Sequence, residues 1–181
     1  MIDYKIIDDS IKYYTEKGFT RIESPWTVTR QVSEITKPIE ATVEFEIKYN
    51  EKVLVASGEQ SFLYLALKGF LPKGKYQTIT PCFRYEKFDF LHTKYFIKNE
   101  LINTEDPSNS NLQKTIETSL IFFKKYLPEA EAVKTEIGYD IQWGKYELGS
   151  YGIRQCEFLK WIYGTGVAEP RLSNLINLKN Q

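Results

Sequence analysis

One histidine stands in the whole chain, and that scarcity argues against a zinc centre built on imidazoles. Cysteine is almost as rare. Cys82 and Cys156 lie far apart without metal-ligand spacing, so a reduced, buried thiol is expected at each. Neither sign of charge is in excess: Lys+Arg and Asp+Glu both count 24, so a nucleic-acid contact has to use a local patch rather than a global positive field. No apolar run approaches the roughly 20 residues of a membrane span, and Met1-Ile2-Asp3-Tyr4-Lys5 lacks a signal-peptide pattern. A cytoplasmic protein with no membrane contact is the expectation. Internal repeats and low-complexity tracts are absent too, and 181 residues suit one domain spanning 1–181.

What is present is a succession of short, well-punctuated elements. Tyr4, Ile7, Ile11 and Tyr14 recur at helical spacing, and Gly18 closes that first helix. Thr20 to Ser24 reads as a strand halted by Pro25, and 43–49 with 52–56 as a hairpin around Asn50-Glu51. Ser57 and Gln60 have capping-box spacing ahead of a helix carrying Phe62, Leu63, Leu67 and Phe70; Ser110 and Gln113 repeat it ahead of Leu112, Ile116, Leu120, Phe123 and Leu127. Between these helices a long hairpin runs from Tyr76 to Ile102. Strand-like stretches follow at 132–137, 145–154 and 155–163; a link from Gly164 to Arg171 then leads to a last helix with Pro170 in its first position. The predicted class is α+β, a mostly antiparallel sheet flanked by helices.

The long hairpin carries the chemistry. Strand side chains alternate, so Arg84 and Glu86 share one face, as do His92, Lys94, Phe96 and Glu100 on the return strand, while Phe83, Tyr85, Tyr95, Ile97 and Leu101 face inward. Cations for phosphates, a ring for a base and carboxylates for an amine or a metal suit a nucleotide. An ordinary solvated sheet face explains the same pattern.

Three segments in order resemble the signature motifs of class II aminoacyl-tRNA synthetases. Lys17-Gly18-Phe19-Thr20-Arg21-Ile22-Glu23-Ser24-Pro25 is similar to motif 1. Phe83-Arg84-Tyr85-Glu86 followed by His92, Phe96 and Glu100 is similar to motif 2. Gly164-Thr165-Gly166-Val167-Ala168-Glu169-Pro170-Arg171 resembles motif 3, with alanine where the family commonly has a third glycine. The resemblance spans nearly the whole chain, and it implies a class II synthetase or biotin ligase-like catalytic core that binds ATP and Mg²⁺ and adenylates an amino acid or related carboxylate.

Each site residue then acquires an implied role beside an ordinary one. Arg84 matches the arginine that bridges the α-phosphate and the substrate carboxylate; a surface ion pair with Glu86 or Glu100 is its alternative. Phe96 would lie under the adenine with Arg171 on the other side, reaching the γ-phosphate; a core phenylalanine and a solvated helix start are the alternatives. Glu86 would meet the adenine edge or position Arg84, and His92 would replace an arginine at the γ-phosphate, with an ordinary loop-end histidine its alternative. Glu100 and Glu147 are implied as magnesium ligands, with solvated strand carboxylates the alternative, and Glu59 as the acceptor of the substrate amine, with a carboxylate favoured in a helix's first turn the alternative; Gly164 and Gly166 are implied as permitting close approach to the nucleotide. Gln60, Gln142, Trp143 and Tyr151 are candidates for the side-chain pocket.

Motif 1 implies a homodimer. The short 87–91 loop, the absence of room for an anticodon-binding domain and the balanced charge leave tRNA as a possible acceptor that is not favoured. The competing expectation is a non-catalytic paralogue that keeps the fold and dimer to sense a ligand or regulate a partner.

Overall fold

The computed structural model describes residues 1–37, 45–47, 51–85, 89–91, 93 and 95–181. In chain order its elements are α1 (Tyr4–Glu16), β1 (Thr20–Arg21), β2 (Thr27–Thr29), α2 (Arg30–Glu34), β3 (Glu46–Ile47), β4 (Lys52–Leu54), α3 (Gly58–Leu67) and β5 (Lys75–Phe83). There follow β6 (Tyr95–Asn103), α4 (Asn109–Lys124), β7 (Glu131–Lys134), β8 (Tyr139–Trp143), β9 (Tyr146–Gln155), β10 (Lys160–Glu169) and α5 (Arg171–Lys179). Among the described residues they form a seven-stranded sheet, β1-β5-β6-β10-β9-β8-β7, and a three-stranded sheet, β2-β4-β3. Every pairing in the large sheet is antiparallel except β1 on β5. The class is the α+β arrangement expected from the sequence.

Two apolar layers sandwich the large sheet. On one face α1, α4 and α5 bury Tyr14, Phe122, Phe123, Leu127 and Leu175 against Leu101, Ile141 and Val167. Phe122 lies at the centre of an aromatic cluster, in ring contact with Tyr13, Tyr14, Phe123 and Tyr126. On the other face α3 and the small sheet bury Phe62, Leu63, Val28 and Val53 against Ile102 and Trp161.

Caps explain where the helices start. The Asp3 carboxylate accepts from the Lys5 and Ile6 amides and opens α1, and the Ser57 hydroxyl accepts from the Glu59 amide and opens α3. Gln60 reaches back as a capping-box residue does, but one position further, to the Ala56 amide. At α4 the cap is Ser108, whose hydroxyl accepts from Asn111, so the helix begins before the expected Ser110 box.

Other expectations need correction. The strand expected over 20–24 is cut to two residues, and β8, bounded by Gly138 and Gly144, falls between the stretches expected at 132–137 and 145–154. The stretch from Gly164 to Glu169 is strand rather than link, and Pro170 caps α5 instead of entering it. Tyr85 and Tyr95 are 67% and 58% exposed rather than inward, and Cys156 is half-buried where Cys82 is fully enclosed. The predicted 43–49 strand lies largely outside the described residues. No helix among the described residues is long and apolar enough to cross a membrane.

Truncating the centre of the aromatic cluster tests this packing. Phe122→Ala is expected to lower stability by about 3–5 kcal/mol through lost contacts and a residual cavity, measured as a fall in urea midpoint.

Candidate functional site

Side-chain alternation on β6 puts Phe96, Lys98 and Glu100 on one face of the large sheet. Beside them β10 contributes Tyr163, Thr165 and Ala168, and β9 contributes Leu148, Ser150 and Arg154. The start of α3, from Ser57 to Gln60, forms one wall; Arg84 follows β5 and Arg171 opens α5. Together they enclose a cavity of about 220 Å³.

The strand register gives this cavity two ends. Lys98 pairs with Ala168 and Glu100 with Thr165, whereas Trp161 pairs with Arg154 further along β10. Phe96 and Arg171 therefore mark one end, and Arg154 with Trp161 the other.

At the first end the Arg84 Nε donates to the Ala56 carbonyl at 3.0 Å, and its guanidinium lies 5.2 Å from the Phe96 ring centroid. That approach is a cation–π contact. Arg171 Nη1 donates to the half-exposed Glu147 carboxylate at 3.2 Å, an open pair that contributes little to stability. Midway, the enclosed Glu100 accepts from Lys98 Nζ at 2.9 Å and from the Ser57 hydroxyl at 2.7 Å.

At the far end Glu59 is 4% exposed. One carboxylate oxygen accepts from the Trp161 indole N–H at 2.7 Å, and the other pairs with Arg154, whose guanidinium lies 4.1 Å from the Tyr163 ring centroid. Burial pushes the Glu59 carboxyl above its ordinary value, while Arg154 and the Trp161 N–H oppose that rise. Burial also pushes up the Cys82 thiol, which leaves it a poor nucleophile.

Thus Arg84, Phe96, Arg171, Glu59, Glu100 and Glu147, singled out in the sequence, line one cavity, as does Gln60. Glu86 and His92 lie outside the described residues. Gly164 and Gly166 are placed differently from the expectation: neither lines the cavity. A Cβ at Gly164 would lie 2.7 Å from the Tyr151 ring, and one at Gly166 3.0 Å from the Tyr14 ring, so the missing side chains make room for tyrosines on the opposite face. Tyr151 itself is core, its hydroxyl donating to the Thr165 carbonyl, and Gln142 and Trp143 are not among the residues lining the cavity.

Sequence reasoning missed Lys98, Arg154 and Trp161. Lys98 was within reach, since it sits two residues before Glu100 on the same strand face. Trp161 carried half a signal, because a buried indole N–H needs an acceptor, but nothing in the sequence names Glu59 as that acceptor.

No family model matches the chain, and no curated protein matches it by sequence. Solved structures do resemble it. A pyrrolysyl-tRNA synthetase from Desulfitobacterium hafniense superposes with TM-score 0.75 at 18% identity, over 98% of this chain and 70% of that one. The seryl-tRNA synthetase of Pyrococcus horikoshii, complexed with ATP, gives 0.74 at 18%, over 96% and 49%. The cytoplasmic serine-tRNA ligase of Naegleria fowleri, in complex with AMP, gives 0.72 at 17%, over 93% and 46%. The chain spans about half the length of the two seryl enzymes. Its fold is that of the class II aminoacyl-tRNA synthetase catalytic core.

The raised Glu59 carboxyl gives a signed prediction. The folded state holds that proton more tightly than the unfolded chain, so this group's stabilising contribution is full below 4.5 and is lost as pH rises through the folded value. Glu59→Gln should remove its part of the slope in a urea titration across pH. Glu59→Leu should be about 1–3 kcal/mol less stable than Glu59→Gln at neutral pH, since it leaves the Trp161 N–H without an acceptor.

Proposed function

We propose that the chain binds ATP in this cavity and adenylates an amino acid or a related carboxylate. The observation that carries the reading is the convergence of Arg84, Phe96 and Arg171 on one end of a cavity in this fold. A substrate carboxylate oxygen attacks the α-phosphorus of ATP; an O–P bond forms, the bond from that phosphorus to the bridging oxygen breaks, and pyrophosphate leaves with the electron pair. Negative charge gathers on the phosphoryl oxygens, so fixed cations lower the barrier. The planar fork of Arg84 suits two oxyanions at once, the α-phosphate and the incoming carboxylate. Phe96 offers a face for the adenine, and Arg171 packs on the other side and reaches the γ-phosphate. On the sequence resemblance alone, Glu86 meets the adenine edge and His92 the γ-phosphate.

Mg²⁺ takes one or two protein carboxylates together with phosphate and water, and when bound it neutralises phosphate charge. Among the described residues no three His, Cys, Asp or Glu side chains cluster as a metal site. The half-exposed Glu147, beside Arg171, fits the smaller requirement. Glu100 has both oxygens engaged by Lys98 and Ser57, so it would hold the ion only by releasing one of them. Glu59 has both oxygens engaged by Trp161 and Arg154, so it would receive a substrate amine only by releasing one of them. The adenylate's acceptor is left open, with tRNA one candidate and not the favoured one.

A homodimer through the motif 1 region belongs to the same proposal. Both residues of β1 are exposed, the strand is an edge of the large sheet, and Trp26, just before β2, is 56% exposed. An exposed edge strand and an exposed indole suit pairing with a second copy.

Pyrophosphate exchange into ATP tests the enzymatic reading. Screened over the twenty amino acids, the protein should show a dependent exchange that Arg84→Ala lowers by about 10²–10³-fold. Silence with every amino acid would overturn adenylation of these substrates, and a thermal shift with ATP despite that silence would identify a ligand-sensing protein instead. Sedimentation at micromolar concentration should show a dimer; a monomer would refute the pairing.

A further inference from the structure

Each acidic side chain lining the cavity is matched to a base: Glu147 to Arg171, Glu100 to Lys98 and Glu59 to Arg154. At the far end the charges of Glu59 and Arg154 cancel. A charged ligand group placed there would lose its hydration with no spare opposite charge to meet it. A neutral group avoids that cost.

Hydrogen-bonding capacity nevertheless remains. Arg154 commits Nη1 to Glu59 and lays its guanidinium over Tyr163; its other N–H groups have no protein acceptor among the described residues. Its two neighbours fix the fork, so little freedom is left to lose when a ligand oxygen arrives. Thr36 supplies the second, independent sign. Its hydroxyl oxygen is shielded from solvent, has no partner among the described residues, and the residue lines the same cavity. Thr36 sits just beyond Ser33, whose carbonyl and hydroxyl oxygens accept from the Gln60 amide next to Glu59. An orphaned buried hydroxyl costs free energy that a polar ligand would recover.

The geometry points to a far-end subsite for a neutral, hydrogen-bonding side chain on the carboxylate substrate, a hydroxyl or a carboxamide, with Arg154 donating to its oxygen and Thr36 completing its hydrogen bonds. This rests on the adenylation reading and names its substrate class. Glu59 is then a positioning residue, holding Arg154 through one oxygen while Trp161 fixes the other.

Calorimetric titration of the unmodified protein with 5′-O-(N-aminoacyl)sulfamoyl adenosines, inert mimics of the adenylate, separates the outcomes. Seryl, threonyl, asparaginyl or glutaminyl forms should bind at least about tenfold tighter than aspartyl, lysyl, leucyl and phenylalanyl forms. Equal binding across the panel, or a charged or apolar form binding best, overturns the neutral-polar subsite and leaves nucleotide binding standing. Failure of every analogue and of ATP overturns both. Thr36→Val should weaken the favoured analogue about five- to tenfold, the loss of one hydrogen bond; unchanged affinity would remove Thr36 from the subsite and overturn the assignment.

Discussion

The register shift between Thr165 and Val167 in β10 is the constraint on which the cavity depends. β10 is the central strand between β6 and β9, and it has to serve two faces at once. Away from the cavity, the Tyr14 hydroxyl donates to the Gly166 carbonyl at 3.0 Å and the Tyr151 hydroxyl donates to the Thr165 carbonyl. Those bonds meet carbonyls of the bulged segment, whose ladder partners are disturbed, and they tie it to the aromatic core beneath. On the cavity side the same segment presents Thr165 before the shift and Ala168 after it. Relaxing the bulge would move every later residue, Arg171 included, to a new place around the site.

A second order comes from the paired charges. Three ion pairs line one cavity, and they differ in kind: Glu59 and Glu100 are enclosed, while Glu147 is open. Enclosed pairs demand full satisfaction of their oxygens, which the Trp161 N–H and the Ser57 hydroxyl supply. The open pair makes no such demand, so Glu147 can exchange Arg171 for another partner at small cost. The end near Arg171 is therefore electrostatically adjustable, and the end near Arg154 is set when the chain folds.

How much of this was legible in the sequence depended on distance along the chain. Alternation over a continuous strand placed Phe96 and Glu100 on one face, and helical spacing with a capping serine placed α3 close to its observed start. The α+β class followed from the same local signals. Local rules failed where two segments share one constraint. Glycines at 164 and 166 read as loop because the sequence does not show which rings press on them; Tyr14 and Tyr151 are distant in the chain and adjacent in space. Tyr85 and Tyr95 read as inward because alternation gives a face without saying what covers it. Glu59 and Arg154, 95 residues apart, had no sequence rule to join them.

Because the two ends of the cavity lie on opposite ends of the same strands, they are separable in descent. Substitutions at Arg154 would alter what the far end holds while Arg84, Phe96 and Arg171 keep their places. A lineage carrying this fold could in that way change what the far end of β9 accommodates by drift, with the opposite end of the cavity inherited intact.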